Sequence, residues 1–93
     1  MTLDEALREQ ARISAELQQS FAGYSLRGAE LLVWVQTYQD EETDEWHVMP
    51  CVGWRTHDHA WGNHIVVSEA PGDDAVRRPL LGILQASVDR HLN

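Results

Sequence analysis

The sequence predicts an α+β fold: a helix, a three-stranded antiparallel meander and a second helix, in two layers with both helices on one sheet face. Three observations carry this reading. Apolar residues recur at helical spacing at both ends of the chain, β-branched and aromatic residues concentrate between them, and short turn-forming stretches separate the segments. Residues 1–93 are read as one domain, because a chain of 93 residues has room for a single core.

The first helix is expected from Thr2 to about Ala22. Thr2 followed by Glu5 fits a capping box, in which hydroxyl and carboxylate each satisfy a free N–H. Leu3, Ala6, Leu7, Ile13, Leu17 and Phe21 fall on one third of the helical circumference, opposite Asp4, Arg8, Glu9, Arg12 and Glu16. Asp4–Arg8 and Arg12–Glu16 are at the i,i+4 spacing that favours ion pairs. Gly23 closes the helix and Gly28 precedes the next element.

Residues 30–39, "ELLVWVQTYQ", read as the first strand, apolar on both faces in its first half. Residues 45–55, "EWHVMPCVGWR", read as the second, with Gly53 favouring a bend. A meander puts this strand in the middle, where Pro50 removes a ladder donor, so a bulge is expected at Pro50. "THDHAWGN" is turn-like, "HIVVSE" is a short third strand and "APGDD" ends it. Asp73 or Asp74 caps the last helix. Pro79 is tolerated only in a first turn, so the regular part is placed at residues 76–92, with Val76, Leu80, Leu84, Val88 and His91 at helical spacing.

This α-β-β-β-α order is also that of double-stranded-RNA-binding domains. Those domains carry a basic cluster at the start of their second helix, whereas "DDAVRRPL" offers only Arg77 and Arg78 behind two Asp. With a net charge of −8, phosphate attraction is largely cancelled, and direct nucleic-acid binding is not expected.

Charge is distributed unevenly. Residues 1–39 carry five acids and three Arg, residues 40–75 nine acids and one Arg, and residues 76–93 one acid and three Arg. The excess therefore lies in the β region and its loops. Its densest part is "QDEETDEW", where Asp40, Glu41, Glu42, Asp44 and Glu45 stand in six positions without a basic group. The plainest account is a solvated turn that discourages edge pairing. The functional account is a docking element: carboxylates spaced ~3.4 Å per residue along an extended loop approach the charge density of a nucleic-acid backbone. Arginine forks bind carboxylates as they bind phosphates. Trp46 beside the run would then serve as an interface anchor.

A second candidate is "HDHAWGNH". His57 and His59 at i,i+2 on extended chain point the same way, and His64, Asp58 or His47 would complete a Zn²⁺ site. The pattern lacks the paired spacings of strong zinc motifs, and an exposed or backbone-bonded turn, or a pH-responsive surface, explains it equally. No cofactor is otherwise expected.

Nucleophilic catalysis finds no signature. Cys51 is the only cysteine, too far along its strand from His47 to form a dyad, and reads as core; a single cysteine also gives no sign of an oxidising compartment. All seven basic residues are Arg, which excludes every lysine-dependent motif. The four Trp read mainly as core, with Trp46 and Trp54 sharing parity with Val48 and Trp34 pairing across. No secretory signal or membrane-length apolar run is seen, so a cytoplasmic setting, in a bacterial cell or a phage-infected host, is expected.

The function expected is that of a small acidic, non-enzymatic inhibitor or antagonist that docks a basic protein surface, possessing no catalytic residues. Proteins of this size and charge occur among phage-encoded anti-defence proteins, including anti-CRISPR proteins, and among antitoxins. The alternative is a zinc-binding protein or small metal-dependent enzyme using His57, His59 and His64. A homodimer through the sheet edge or its uncovered face is compatible with either.

Overall fold

The computed structural model describes residues 1–62, 64–66 and 74–93. Its elements are α1 (Leu3–Ser20), β1 (Glu30–Gln39), β2 (Trp46–Arg55), a two-residue β3 (Ile65–Val66) and α2 (Asp74–Leu92).

The expected three-stranded meander is overturned. The sheet is a hairpin of two ten-residue antiparallel strands, and the architecture is helix, hairpin, helix. Among the described residues the "HIVVSE" segment contributes only the pairings Cys51↔Val66 and Val52↔Ile65; its residues 67–69 lie outside them. The chain just before it folds into a turn against β2. Thr56 closes a tight turn, accepting the Ala60 N–H on its hydroxyl while its own N–H reaches the Ala60 carbonyl. The chain then touches β2 at one bridge, Arg55↔Trp61, and presses Gly62 against the Trp54 ring, where any Cβ would overlap the indole. Among the described residues the returning backbone thus meets β2 at one bridge and two pairings rather than along a full strand.

Pro50 also corrects the sequence reading. No bulge is formed, since β1 and β2 pair in unbroken register from Glu30↔Arg55 through Val35↔Pro50 to Gln39↔Trp46. The Trp46 N–H donates to the Met1 carbonyl, away from β1. N–H direction alternates along a strand, so Val48 and Pro50 face the same way as Trp46. The donor that proline lacks would have pointed away from β1, and the hairpin ladder loses nothing.

One face of the hairpin carries Leu31, Val33 and Val35 opposite Trp54, Val52 and Pro50. Leu17 and Phe21 of α1 and Leu84 and Val88 of α2 meet Val35, Val52 and Trp54 there in a single core. The Trp54 indole N–H donates to the Ser87 hydroxyl at 3.1 Å, so this buried ring is polar-satisfied and ties β2 to α2. Trp34 lies opposite Cys51 on the other face, not with Trp46 and Trp54. Cys51 is fully buried, and burial pushes its thiol pKa up.

The capping box of α1 is present, with Thr2 and Glu5 in the expected reciprocal bonds. The helix ends at Ser20 with Phe21 as its C-cap, and Gly23, two residues beyond the cap, takes a left-handed φ of +86° in the turn that follows. Leu3 and Leu7, however, are 43% and 46% exposed, although they were expected on the buried stripe. Two strands are too narrow to cover the whole stripe near the hairpin tip, and the small Ala6 is the residue that seats there. Pro79 stands inside α2, beyond its first turn, and the proposed caps Asp73 and Asp74 fall where no side chain is described. The helices are joined by Arg77, which donates to the Ser20 hydroxyl at 3.1 Å and lies over the Tyr24 ring. Gln85 clamps Arg27 by both its backbone N–H and carbonyl, fixing the approach to β1.

Candidate functional site: the acidic hairpin tip

The two strands deliver residues 40–45 to one end of the molecule, which is 43 Å long. The run is not an extended loop. The Asp40 N–H donates to the Glu45 carbonyl at 2.8 Å and the Asp44 N–H to the Asp40 carbonyl at 2.9 Å, folding it into a compact turn. The Asp40 carboxylate accepts from the backbone N–H of Glu42 at 2.8 Å and of Thr43 at 3.3 Å. The Thr43 hydroxyl accepts from the Glu45 N–H, and the Gln39 amide donates to the Asp44 carbonyl. Asp44 takes φ +59°, a left-handed conformation that short polar side chains adopt more readily than most.

The carboxylates therefore divide by role. Asp40 is half-buried and holds the turn; Glu41, Glu42, Asp44 and Glu45 are exposed. The three ion pairs among the described residues are Arg12–Glu9, Arg12–Glu16 and Arg55–Glu30, and none reaches the tip. The chain's first residue is tied to the same end, where the Trp46 N–H donates to the Met1 carbonyl at 2.9 Å. Asp4 and Glu5 at the start of α1 thus add to the acidic end, and the exposed Leu3 and Leu7 flank it. The Thr2 hydroxyl bond holds the Glu5 carboxyl below its usual range. Trp46 is half-buried, and Tyr38, 47% exposed, stacks on His47 with ring centroids 5.3 Å apart.

The opposite end is chemically different. Arg55 pairs with Glu30 at 2.7 Å and lies 5.5 Å from the ring of Trp61, which is 64% exposed. Gly28, Glu30, Arg55, Thr56, His57 and His59 line an open cleft of about 430 Å³. Asp58 accepts from the Thr56 hydroxyl, which lowers its pKa, and His59 sits at φ +67°. His64 lies instead beside Trp34, with centroids 6.2 Å apart. Among the described residues no three His, Cys, Asp or Glu side chains form a group able to hold a metal, so His57, His59 and His64 are not assembled into a site.

The sequence reading missed Met1 as a backbone partner of β2 and Trp61 as the most exposed large apolar side chain among the described residues; the only sequence signal for the latter was its position inside a turn-like stretch. No family model, curated protein or solved structure compared with the chain matches it. No helix among the described residues is long and apolar enough to cross a membrane.

Proposed function

We propose that the protein is a non-enzymatic binding module, an inhibitor or antagonist that docks a basic surface of another protein through its acidic hairpin tip. The observation that supports this is the division of labour in the turn. One carboxylate is spent on holding the backbone, and four others stand exposed on that fixed backbone, where none of the ion pairs among the described residues reaches them. A charge cluster kept only for solubility needs no such order. A partner bearing arginine forks meets preset acceptors and relieves their mutual repulsion. A surface evolved for phosphates is the natural target, which fits the anti-defence and antitoxin settings and a cytoplasmic location.

The test substitutes Glu41→Gln, Glu42→Gln, Asp44→Asn and Glu45→Gln together, leaving Asp40 in place. Partners retained by the native chain at about 50 mM salt should be lost at about 500 mM, where screening lengths are several-fold shorter. They should also be lost by the variant, and the native chain should displace nucleic acid from them. Equal retention by the variant would reject the reading.

A further inference from the structure

We propose that the outer edge of β1 is the interface of a homodimer, in which two copies pair β1 against β1 in antiparallel sense. The sheet order puts β1 at an edge, with β2 as its only strand neighbour. Its outward backbone groups belong to Leu31, Val33, Val35 and Thr37, because Val35 stands opposite Pro50 at a position that exchanges no bonds with β2. Among the described residues the one group bonded on this edge is the Val35 carbonyl, which accepts from the Gln10 side chain at 2.7 Å. A carbonyl has a second lone pair, so this bond leaves room for another donor.

Edge strands are normally blunted by a charge, a proline, a bulge, shortness or a covering helix or loop. β1 has Glu30 at its first position and the single Gln10 bond from α1, and is otherwise ten residues of "ELLVWVQTYQ" in regular register. The apolar surface beside it is also uncovered. Gln10 reaches the edge from α1, and Leu7, 46% exposed, lies three residues before it on the same helical flank. Its exposure is what a second subunit would remove.

Charge selects the occupant and its direction. Antiparallel pairing sets the acidic tips at opposite ends, separated by about a strand's length of ~34 Å, well beyond the ~8–10 Å over which exposed charges act. Each tip then runs beside residues 27–30 of its neighbour, where the exposed Arg27 of the partner subunit faces it. Arg27 makes none of the ion pairs among the described residues. A two-fold axis gives this arrangement and closes the assembly at two copies. The interface is carried by the strand edge, while its orientation draws on the same tip carboxylates as the docking reading; self-association in the absence of any other protein tells the two apart.

Sedimentation equilibrium of the full chain should give twice the 10.6 kDa chain mass at about 100 µM. Thr37→Pro removes an outward donor without touching the hairpin ladder, and Leu7→Glu places a charge on the flank. Each should weaken the dimer at least tenfold while circular dichroism shows a folded chain. Arg27→Glu should weaken it at low salt, and adding Glu42→Arg should restore it. If Thr37→Pro does not fold, the Leu7→Glu and Arg27→Glu results stand alone. A native chain that stays monomeric, or a dimer indifferent to Leu7→Glu and Arg27→Glu, would overturn the proposal.

Discussion

Asp40 shows how one side chain sets the geometry of four others. Its carboxylate takes two backbone N–H groups of the turn, so Asp40→Ala leaves both without their acceptor. The loss expected is about 1 kcal/mol of stability, read from denaturant melts, together with faster amide exchange at Glu42 and Thr43. Asp40→Asn keeps an acceptor oxygen and should cost less. Gly62 makes a second test at this scale. A Cβ there would overlap the Trp54 ring, which is buried and bonded to Ser87. Gly62→Ala should therefore destabilise by about 1–3 kcal/mol, the usual range for forcing atoms into a filled space. A neutral result would mean that the 56–62 turn does not lie on Trp54.

Among the elements, α1 and the hairpin were legible in the sequence because each is specified locally. Thr2 and Glu5 announce the helix start, and "ELLVWVQTYQ" and "WHVMPCVGWR" are long runs with strand character on either side of a polar turn. The expected third strand pairs with β2 at two positions only among the described residues, and the contact of Gly62 with Trp54 just before it is one no periodicity encodes. Pro50 was misjudged for a related reason: the sequence shows a missing donor but not the direction in which it would have pointed. The register supplies that direction, and with it a prediction. Pro50→Val should leave stability unchanged or lower it by up to about 1 kcal/mol, through the freer unfolded chain. A gain of that size would instead reveal a ladder bond that proline had been blocking. The cap of α1 is testable through pH. Glu5 titrates below its ordinary value of 4.5 because Thr2 bonds its ionised form. Its contribution is complete above that ordinary value and disappears as pH falls through the lower, folded-state one. Thr2→Ala should therefore lower the thermal midpoint at neutral pH and make the acid limb of the stability profile shallower.

At the scale of the molecule, charge is arranged along the long axis. The hairpin tip and the start of α1 form an acidic end, while Arg27, Arg55, Arg90, His57 and His59 gather with Glu30, Asp58 and Asp89 at the other, where Leu92 at the end of α2 reaches Gly28. The acidic run at residues 40–45 was plain in the sequence, but the division of its five acids into one structural carboxylate and four exposed ones was not, because it rests on the hydrogen bonds of a turn. The addition of Asp4 and Glu5 likewise depends on Met1 pairing with Trp46 across 45 positions of chain. This arrangement has an energetic signature that separates function from stability. Like charges held close on a fixed turn repel, and the repulsion is felt by the folded chain more than by the expanded one. Glu41→Gln, Glu42→Gln, Asp44→Asn and Glu45→Gln together should raise the denaturant midpoint at low salt. The gain should shrink as salt rises, because exposed charges are screened over shorter distances at higher ionic strength. Coupled with lost partner binding, a more stable variant would mark the tip as kept at a cost to the fold, the expected trade at a functional site. A variant that is less stable at every salt concentration would show instead that the four carboxylates hold the turn, and the docking reading would lose its main support.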